Sequence, residues 1–162
     1  MSQAQLVNKV SYCAMVVSET TWLIQYCYDG TVLITVSECD RPAVKEVASH
    51  FAALGFKIRA TAGTHAFLTD LGILSELVMK EHEGRPNITD AIKNKEIQLI
   101  INTPVGKLSK YDDSYIRKAA IRYKVPYITT LAAAIAAAKG IASYRDGKSD
   151  VRSLQCYHDS IE

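Results

Sequence analysis

From residue 31 onward, apolar and polar positions alternate with a regular period. Residues 31–36, Thr-Val-Leu-Ile-Thr-Val, form an unbroken β-branched and aliphatic run, as expected of a strand covered on both faces. Asp40 and Pro42 suit the first turn of a helix. Val44, Val47, Ala48, Phe51 and Leu54 then recur at helical spacing, and Gly55 ends the stripe. Residues 56–60 predict a second strand, and 61–64 a tight turn into a short helix ending at Gly72. A third, short strand is expected at 77–79, a polar loop at 81–87 and a short helix at 88–94. Residues 97–101 predict the fourth strand and 102–112 a longer loop. Ile116, Ala119, Ala120 and Tyr123 mark the next helix, and 125–128 the fifth strand, with Pro126 at its start. Leu131, Ala134, Ile135, Ala138 and Ile141 mark the last long helix.

Strands and helices alternating through short links predict an α/β domain: a five-stranded parallel sheet flanked by helices on both faces. Residues 31–142 carry this pattern. Residues 1–30 lack the periodicity and read as an extension of unknown structure, apolar enough to pack on a neighbouring domain. Residues 143–162 read as a polar tail.

A chain of 162 residues fits one domain, large enough to bury a core without disulfides or metals. Apolar residues make up 48% and charged residues 22%, an ordinary balance for a soluble protein. The formal net charge of +2 is too small to argue for nucleic acid or an anionic membrane as partner. Anion binding must therefore be local. Cys13, Cys27, Cys39 and Cys156 form no Cys-x-x-Cys pair, and read as free thiols in a reducing, cytoplasmic setting. His50, His65, His82 and His158 have no metal-cluster spacing, so neither metal nor cofactor is expected and the histidines read as structural or solvent-facing. A membrane helix needs roughly 18 or more apolar residues in a row. The nearest stretch, 10–28, is broken by Ser18, Glu19, Thr20 and Thr21. Only Lys9 is basic ahead of it, so it makes a poor signal peptide.

In such a sheet, ligands bind beyond the carboxyl ends of the strands. Those ends carry Ser37-Glu-Cys-Asp-Arg41, Thr61-Ala-Gly-Thr64, Lys80 with Arg85 beyond it, Asn102-Thr-Pro-Val-Gly-Lys107, and Thr129-Thr130. Gly63 would let backbone N–H groups approach an anion at a helix N-terminus, while Thr61 and Thr64 add hydroxyls and Arg41 and Lys80 add charge. Taken singly, each is also what an ordinary turn, helix cap or solvated lysine would show. Their placement on one edge is what points to an anionic small molecule.

At these residues the sequence resembles a known family. Ala60-Thr-Ala-Gly-Thr64, Glu83-Gly-Arg-Pro-Asn-Ile-Thr-Asp90, the run 97–103, Ile116-Arg-Lys-Ala-Ala120, Pro126-Tyr-Ile-Thr-Thr130 and Val151-Arg-Ser-Leu-Gln-Cys-Tyr-His158 are similar to the C-terminal, methylglyoxal-synthase-like domain of the carbamoyl-phosphate synthetase large chain. The resemblance covers roughly 31–158 and implies a three-layer fold and an allosteric role in arginine and pyrimidine biosynthesis. The effector would be a nucleoside monophosphate such as that of uridine or inosine, or N-acetylglutamate in some animal enzymes. It would act on catalytic domains in cis or trans, and homo-oligomerisation is left open. The resemblance puts the effector phosphate near Arg41, Thr61, Gly63, Thr64 and Lys80, with further contacts near Asn102 and Thr103. Ser37, Arg85 and Lys107 are additional candidates. No catalytic residue is implied.

This chain departs from that pattern in places. Arg41 stands where the family often has lysine, keeping the charge but changing its geometry, and Pro104 stands where related domains can offer a hydroxyl. Thr61, Thr64 and Lys80 resemble the nucleotide-binding pattern more than the acetylglutamate one. The fold also hosts methylglyoxal synthase, a lyase acting on dihydroxyacetone phosphate, whose Gly-Gly-Asp motif supplies a general base. Here Glu83-Gly84-Arg85 occupies that stretch, and arginine cannot accept a proton near neutral pH. The lyase's histidines after strands one and four are also missing: residues 36–41 and 103–118 contain none.

Overall fold

A computed structural model describes residues 30–103 and 109–146. The elements are β1 (Thr31–Val36), a 3-10 turn (Glu38–Asp40), α1 (Arg41–Ala53), β2 (Lys57–Ala60), α2 (Ala62–Asp70), β3 (Glu76–Leu77), α3 (Ile88–Lys93), β4 (Leu99–Thr103), α4 (Ser109–Tyr123), β5 (Tyr127–Ile128) and α5 (Leu131–Arg145). The five strands form one sheet in the order β3-β2-β1-β4-β5, every pair parallel. This is the expected architecture.

Strand alternation sends neighbouring side chains to opposite faces, and the two faces build separate cores. Val32 and Ile34 of β1, with Leu99 and Ile101 of β4, pack against Val44, Val47 and Phe51 of α1, Leu68 of α2, and Ala134, Ala138 and Ile141 of α5. Leu33 and Ile100 point the other way, onto Ile88, Ala91 and Ile92 of α3 and Ile116, Ala119 and Ala120 of α4. The result is three layers, with α1, α2 and α5 on one face and α3 and α4 on the other.

Local chemistry fixes the ends of the elements. Pro42 lies in the first turn of α1, where its missing N–H costs nothing. Gly55 follows that helix at φ 78°, a left-handed conformation open to glycine without strain. Asn87 and Asp90 cap α3 reciprocally: Asn87 Oδ1 accepts from Asp90 N at 2.9 Å, and Asp90 Oδ2 accepts from Asn87 N at 3.4 Å. Thr130 Oγ1 accepts from Ala133 N at the start of α5.

Several boundaries differ from the sequence expectation: α4 begins at Ser109, inside the expected 102–112 loop, and β5 is confined to Tyr127–Ile128 within the expected 125–128. β4 runs two residues later than 97–101, because its pairing with β1 ends at Val36–Thr103. Ile97 is buried but lies just ahead of the ladder. The third strand pairs as Arg59–Glu76 and Ala60–Leu77, not as 77–79; Met79 makes only an isolated bridge to Asn87. The last helix extends past residue 142 to Arg145, whose guanidinium donates to Leu54 O and lies 5.4 Å from the Phe56 ring centroid.

Phe51 is fully buried and meets Phe56 edge-to-face at 5.5 Å. Phe51→Ala should therefore cost about 3–5 kcal/mol, read as a lower urea midpoint with unchanged slope. A loss under about 1 kcal/mol would mean that the α1 core is not packed this way.

Candidate functional site

The strand order changes direction between β1 and β4: β2 and β3 step outward from β1 on one side, β4 and β5 on the other. The connection after β1 leads to α1 on one face, and that after β4 leads to α4 on the opposite face. Chains diverging this way leave a crevice at the carboxyl edge. There the structure has a cleft lined by Thr35, Thr61, Lys80, Glu81, Ile88, Thr89, Asn102, Asp113, Tyr115 and Ile116. Thr35 and Asn102 sit two residues beyond Leu33 and Ile100, so they share the α3/α4 face.

The expected site residues divide into groups. Thr61, Lys80 and Asn102 meet in the cleft. Thr61 is the extended residue before α2, and its Oγ1 is not used to cap that helix. It donates instead to Thr35 Oγ1 at 3.3 Å. Arg41, Gly63, Thr64 and Ser37 gather on the other side of the β1 end. Thr64 is buried, and its Oγ1 accepts from Val36 N at 3.3 Å, tying the first turn of α2 to β1. Arg41 lies against Gly63: a Cβ added there would stand 2.6 Å from Arg41 Nη2. Its Nη1 pairs with Glu38 Oε1 at 3.3 Å, while its buried Nε has no partner. Ser37 Oγ donates to Asp40 Oδ2 at 3.1 Å. Thr103 is buried with its Oγ1 unpartnered. Arg85 lies outside the cleft lining, 82% exposed, with Nε 3.8 Å from Asp90 Oδ2. Lys107 falls outside the described residues.

One polar network beside the cleft went unpredicted. Asn102 Nδ2 donates to Asp113 Oδ1 at 2.9 Å and to Tyr127 Oη at 2.7 Å. Tyr127 Oη donates in turn to Asp113 Oδ1. Arg117 Nη2 donates to Asp113 Oδ2 at 3.1 Å, and the guanidinium carbon sits 5.5 Å from the Tyr127 ring centroid. Both amide hydrogens of Asn102 are thus committed, leaving its carbonyl oxygen as the group it can offer a ligand. Burial, followed by the hydrogen bond to Asp113, pushes the Tyr127 phenol up to about 12. His65 Nδ1 contacts Ser75 Oγ at 2.8 Å, a structural role. Among the described residues, no three His, Cys, Asp or Glu side chains could hold a metal ion, and no helix is long and apolar enough to cross a membrane.

A family model described as an MGS-like domain matches residues 43–129. The chain belongs to the MGS-like domain family. It is 48% identical over 133 residues to the carbamoyl phosphate synthase large chain of Gemmatimonas aurantiaca, covering 82% of this chain and 12% of that protein. It is 46% identical to the large chain of Nostoc sp. over 79% of this chain and 12% of the relative. It is 43% identical to the "Carbamoyl phosphate synthase large chain, C-terminal section" of Aquifex aeolicus, over 79% of this chain and 24% of the relative. The chain therefore spans only a small part of the curated relatives it matches. The solved structure "Crystal structure of ForH" shares the fold at TM-score 0.52 and 13% identity, covering 74% of this chain and 81% of that one.

Within this MGS-like domain, sequence reasoning missed Thr35, Glu81, Asp113, Tyr115 and Tyr127. Tyr127 reads as one more apolar residue of a strand, and Asp113 as one more polar residue at a loop's end. The available signal was a tyrosine at a strand position, since a half-buried phenol needs a partner.

The raised Tyr127 pKa has a stability consequence. The folded domain keeps a proton that the unfolded phenol gives up near pH 10. The group's support is thus complete below about pH 10 and lost as pH rises through about 12. Tyr127→Phe should cost about 1 kcal/mol at neutral pH and flatten the alkaline fall in stability, measured by urea titration from pH 8 upward. Parallel curves for the two proteins would show that Tyr127 is not held this way.

Proposed function

We propose that this domain is the allosteric effector-binding module of a carbamoyl-phosphate synthase large chain, and that its ligand is a phosphorylated metabolite such as a nucleoside monophosphate. The observation that carries this reading is the convergence of Thr61, Lys80 and Asn102 on one cleft at the sheet's switch point, beside the N-terminus of α2. That terminus presents unbonded N–H groups and a positive dipole end, and Arg41 lies against it at Gly63. Two cations, two hydroxyls and a helix start at one edge suit a phosphate better than a neutral ligand. The names of the relatives support placement within a carbamoyl-phosphate synthase large chain, of which this chain matches a minor, C-terminal part.

The mechanism follows from differential binding. A phosphate that prefers one arrangement of the groups around Thr61 stabilises that arrangement, and a neighbouring catalytic domain that senses it changes activity. Such couplings are typically about 1–3 kcal/mol. The partner catalytic domains lie in cis or in trans, and the isolated chain binds without output.

Calorimetric titration with uridine and inosine monophosphates, ornithine and N-acetylglutamate tests the reading, with dihydroxyacetone phosphate turnover assayed on the same sample. Saturable nucleotide binding without turnover is the expected result; turnover would replace it with a lyase. Thr61→Ala and Lys80→Ala should each cost roughly 1.5–3 kcal/mol of phosphate-ligand affinity, and unchanged affinity would move the site elsewhere. Gly63→Ala meets the mobile end of Arg41, not backbone. It should melt within a few degrees of wild type yet bind phosphate ligands more weakly, and wild-type affinity would remove Arg41 from the site.

A further inference from the structure

The outer flank of the sheet exposes apolar side chains that are neighbours along the chain: Leu74 is 93% exposed, Leu77 55% and Met79 41%. Single exposed apolar residues are ordinary, whereas a contiguous group marks a surface that meets something. Leu77 pairs with Ala60, whose side chain belongs to the core covered by α1, α2 and α5. β3 is the last strand on its side of the sheet, so Leu77 stands at the open margin of that core. Glu76, the charge within this stretch, is paired with Arg59 at 3.0 Å. The exposed apolar residues of α4 have a different setting. Ile121 stands in sequence among Arg117, Lys118, Arg122 and Lys124, a strongly basic helix surface.

The same chain carries a segment suited to this flank. Residues 1–28 contain only two charged side chains, Lys9 and Glu19, and 10–28 hold Met15, Val16, Val17, Trp22, Leu23 and Ile24. So apolar a stretch gains by leaving water. The segment, outside the described residues, joins the fold at Gly30, whose carbonyl accepts from Lys57 N at 2.9 Å. The chain therefore enters on the β2 side of β1. Thr31 pairs with Lys57 and Arg59 with Glu76, so Leu74, two residues ahead of Glu76, stands at the same edge of the sheet as Lys57. Two strand spacings, about 10 Å, separate the entry point from the flank. Residues 10–28 would span about 28 Å even as a helix, ample to reach it. We propose that residues 10–28 pack against Leu74, Leu77 and Met79 of their own chain and cover the outer flank of the sheet. β3 pairs through two residues, too short a ladder to add a strand, so the contact is between side chains. A second copy seated on the flank would hide these three residues but leave 10–28 bare, whereas the intrachain contact covers both.

Trp22 is the chain's only tryptophan, so its fluorescence in the full chain reports on this segment alone. Wild-type emission should be blue-shifted and shielded from acrylamide relative to the urea-unfolded chain. Leu74→Glu and Leu77→Glu alter exposed positions. They should leave the far-ultraviolet circular dichroism unchanged, shift Trp22 emission to the red and raise acrylamide quenching severalfold. Ile121→Glu, which places the same charge at an exposed position of α4, should leave Trp22 as in wild type. If Leu77→Glu disturbs the circular dichroism, Leu74→Glu decides, because that side chain is almost wholly in solvent. Wild-type Trp22 as accessible as in urea overturns the proposal, as does shielding that survives the flank substitutions or is lost equally in Ile121→Glu. Shielding that disappears on dilution, as a dimer dissociates in sedimentation velocity, gives the flank to a second copy and overturns it too.

Discussion

β1 is hydrogen-bonded on both sides, to β2 and to β4, and its Val32, Leu33 and Ile34 are fully buried. A strand enclosed on all sides must satisfy every backbone group within the sheet and fill both layers with side chains. That requirement sets the geometry of the carboxyl edge. Leu33 commits the α3/α4 layer, so Thr35 opens onto the cleft, and the register Thr35–Asn102 brings the carboxamide beside it. The Val36–Thr103 pair ends the ladder, and Thr64 closes it by accepting from Val36 N. Moving β1 by one residue would exchange the two cores and turn Thr35 away from the cleft.

The backbone plan was legible because its signals are strong and local. A continuous aliphatic run gives β1, the Val44–Val47–Phe51 stripe gives α1, and Gly55 marks its end. The misplaced residues lie where two criteria conflict. Asn102 and Thr103 are polar, and polarity argues for a loop, yet they complete β4 because β1 offers partners that far along. Ile97 is apolar, yet it lies outside the ladder. Strand length is a property of the pair, and a single stretch of sequence holds half of that information.

The site was legible in part for a related reason. Thr61, Lys80 and Asn102 announce themselves by following strands. Asp113 and Tyr127 matter through each other: the phenol and the carboxylate share a hydrogen bond, and Asn102 donates to both. They stand 14 residues apart, and neither residue type is unusual where it stands. Arg85 shows the converse, standing out in the sequence but lying on the open surface. The net charge of +2 conceals this local pattern, in which Lys80 shares the cleft with Glu81 and Asp113.

The outer strand carries a different lesson. β3 has only two residues, both exposed, and Leu74 just before it is 93% exposed. An edge this apolar would ordinarily be a template for unwanted pairing with another chain. Here an intruding strand would find two residues of ladder before the backbone leaves the sheet. Glu76, on that same strand, is held by Arg59 at 3.0 Å, so a charge sits on the strand an intruder must meet. Protection against aggregation at this flank comes from brevity and one anchored charge, and it would weaken if the strand were lengthened, however well the added residues suited β structure.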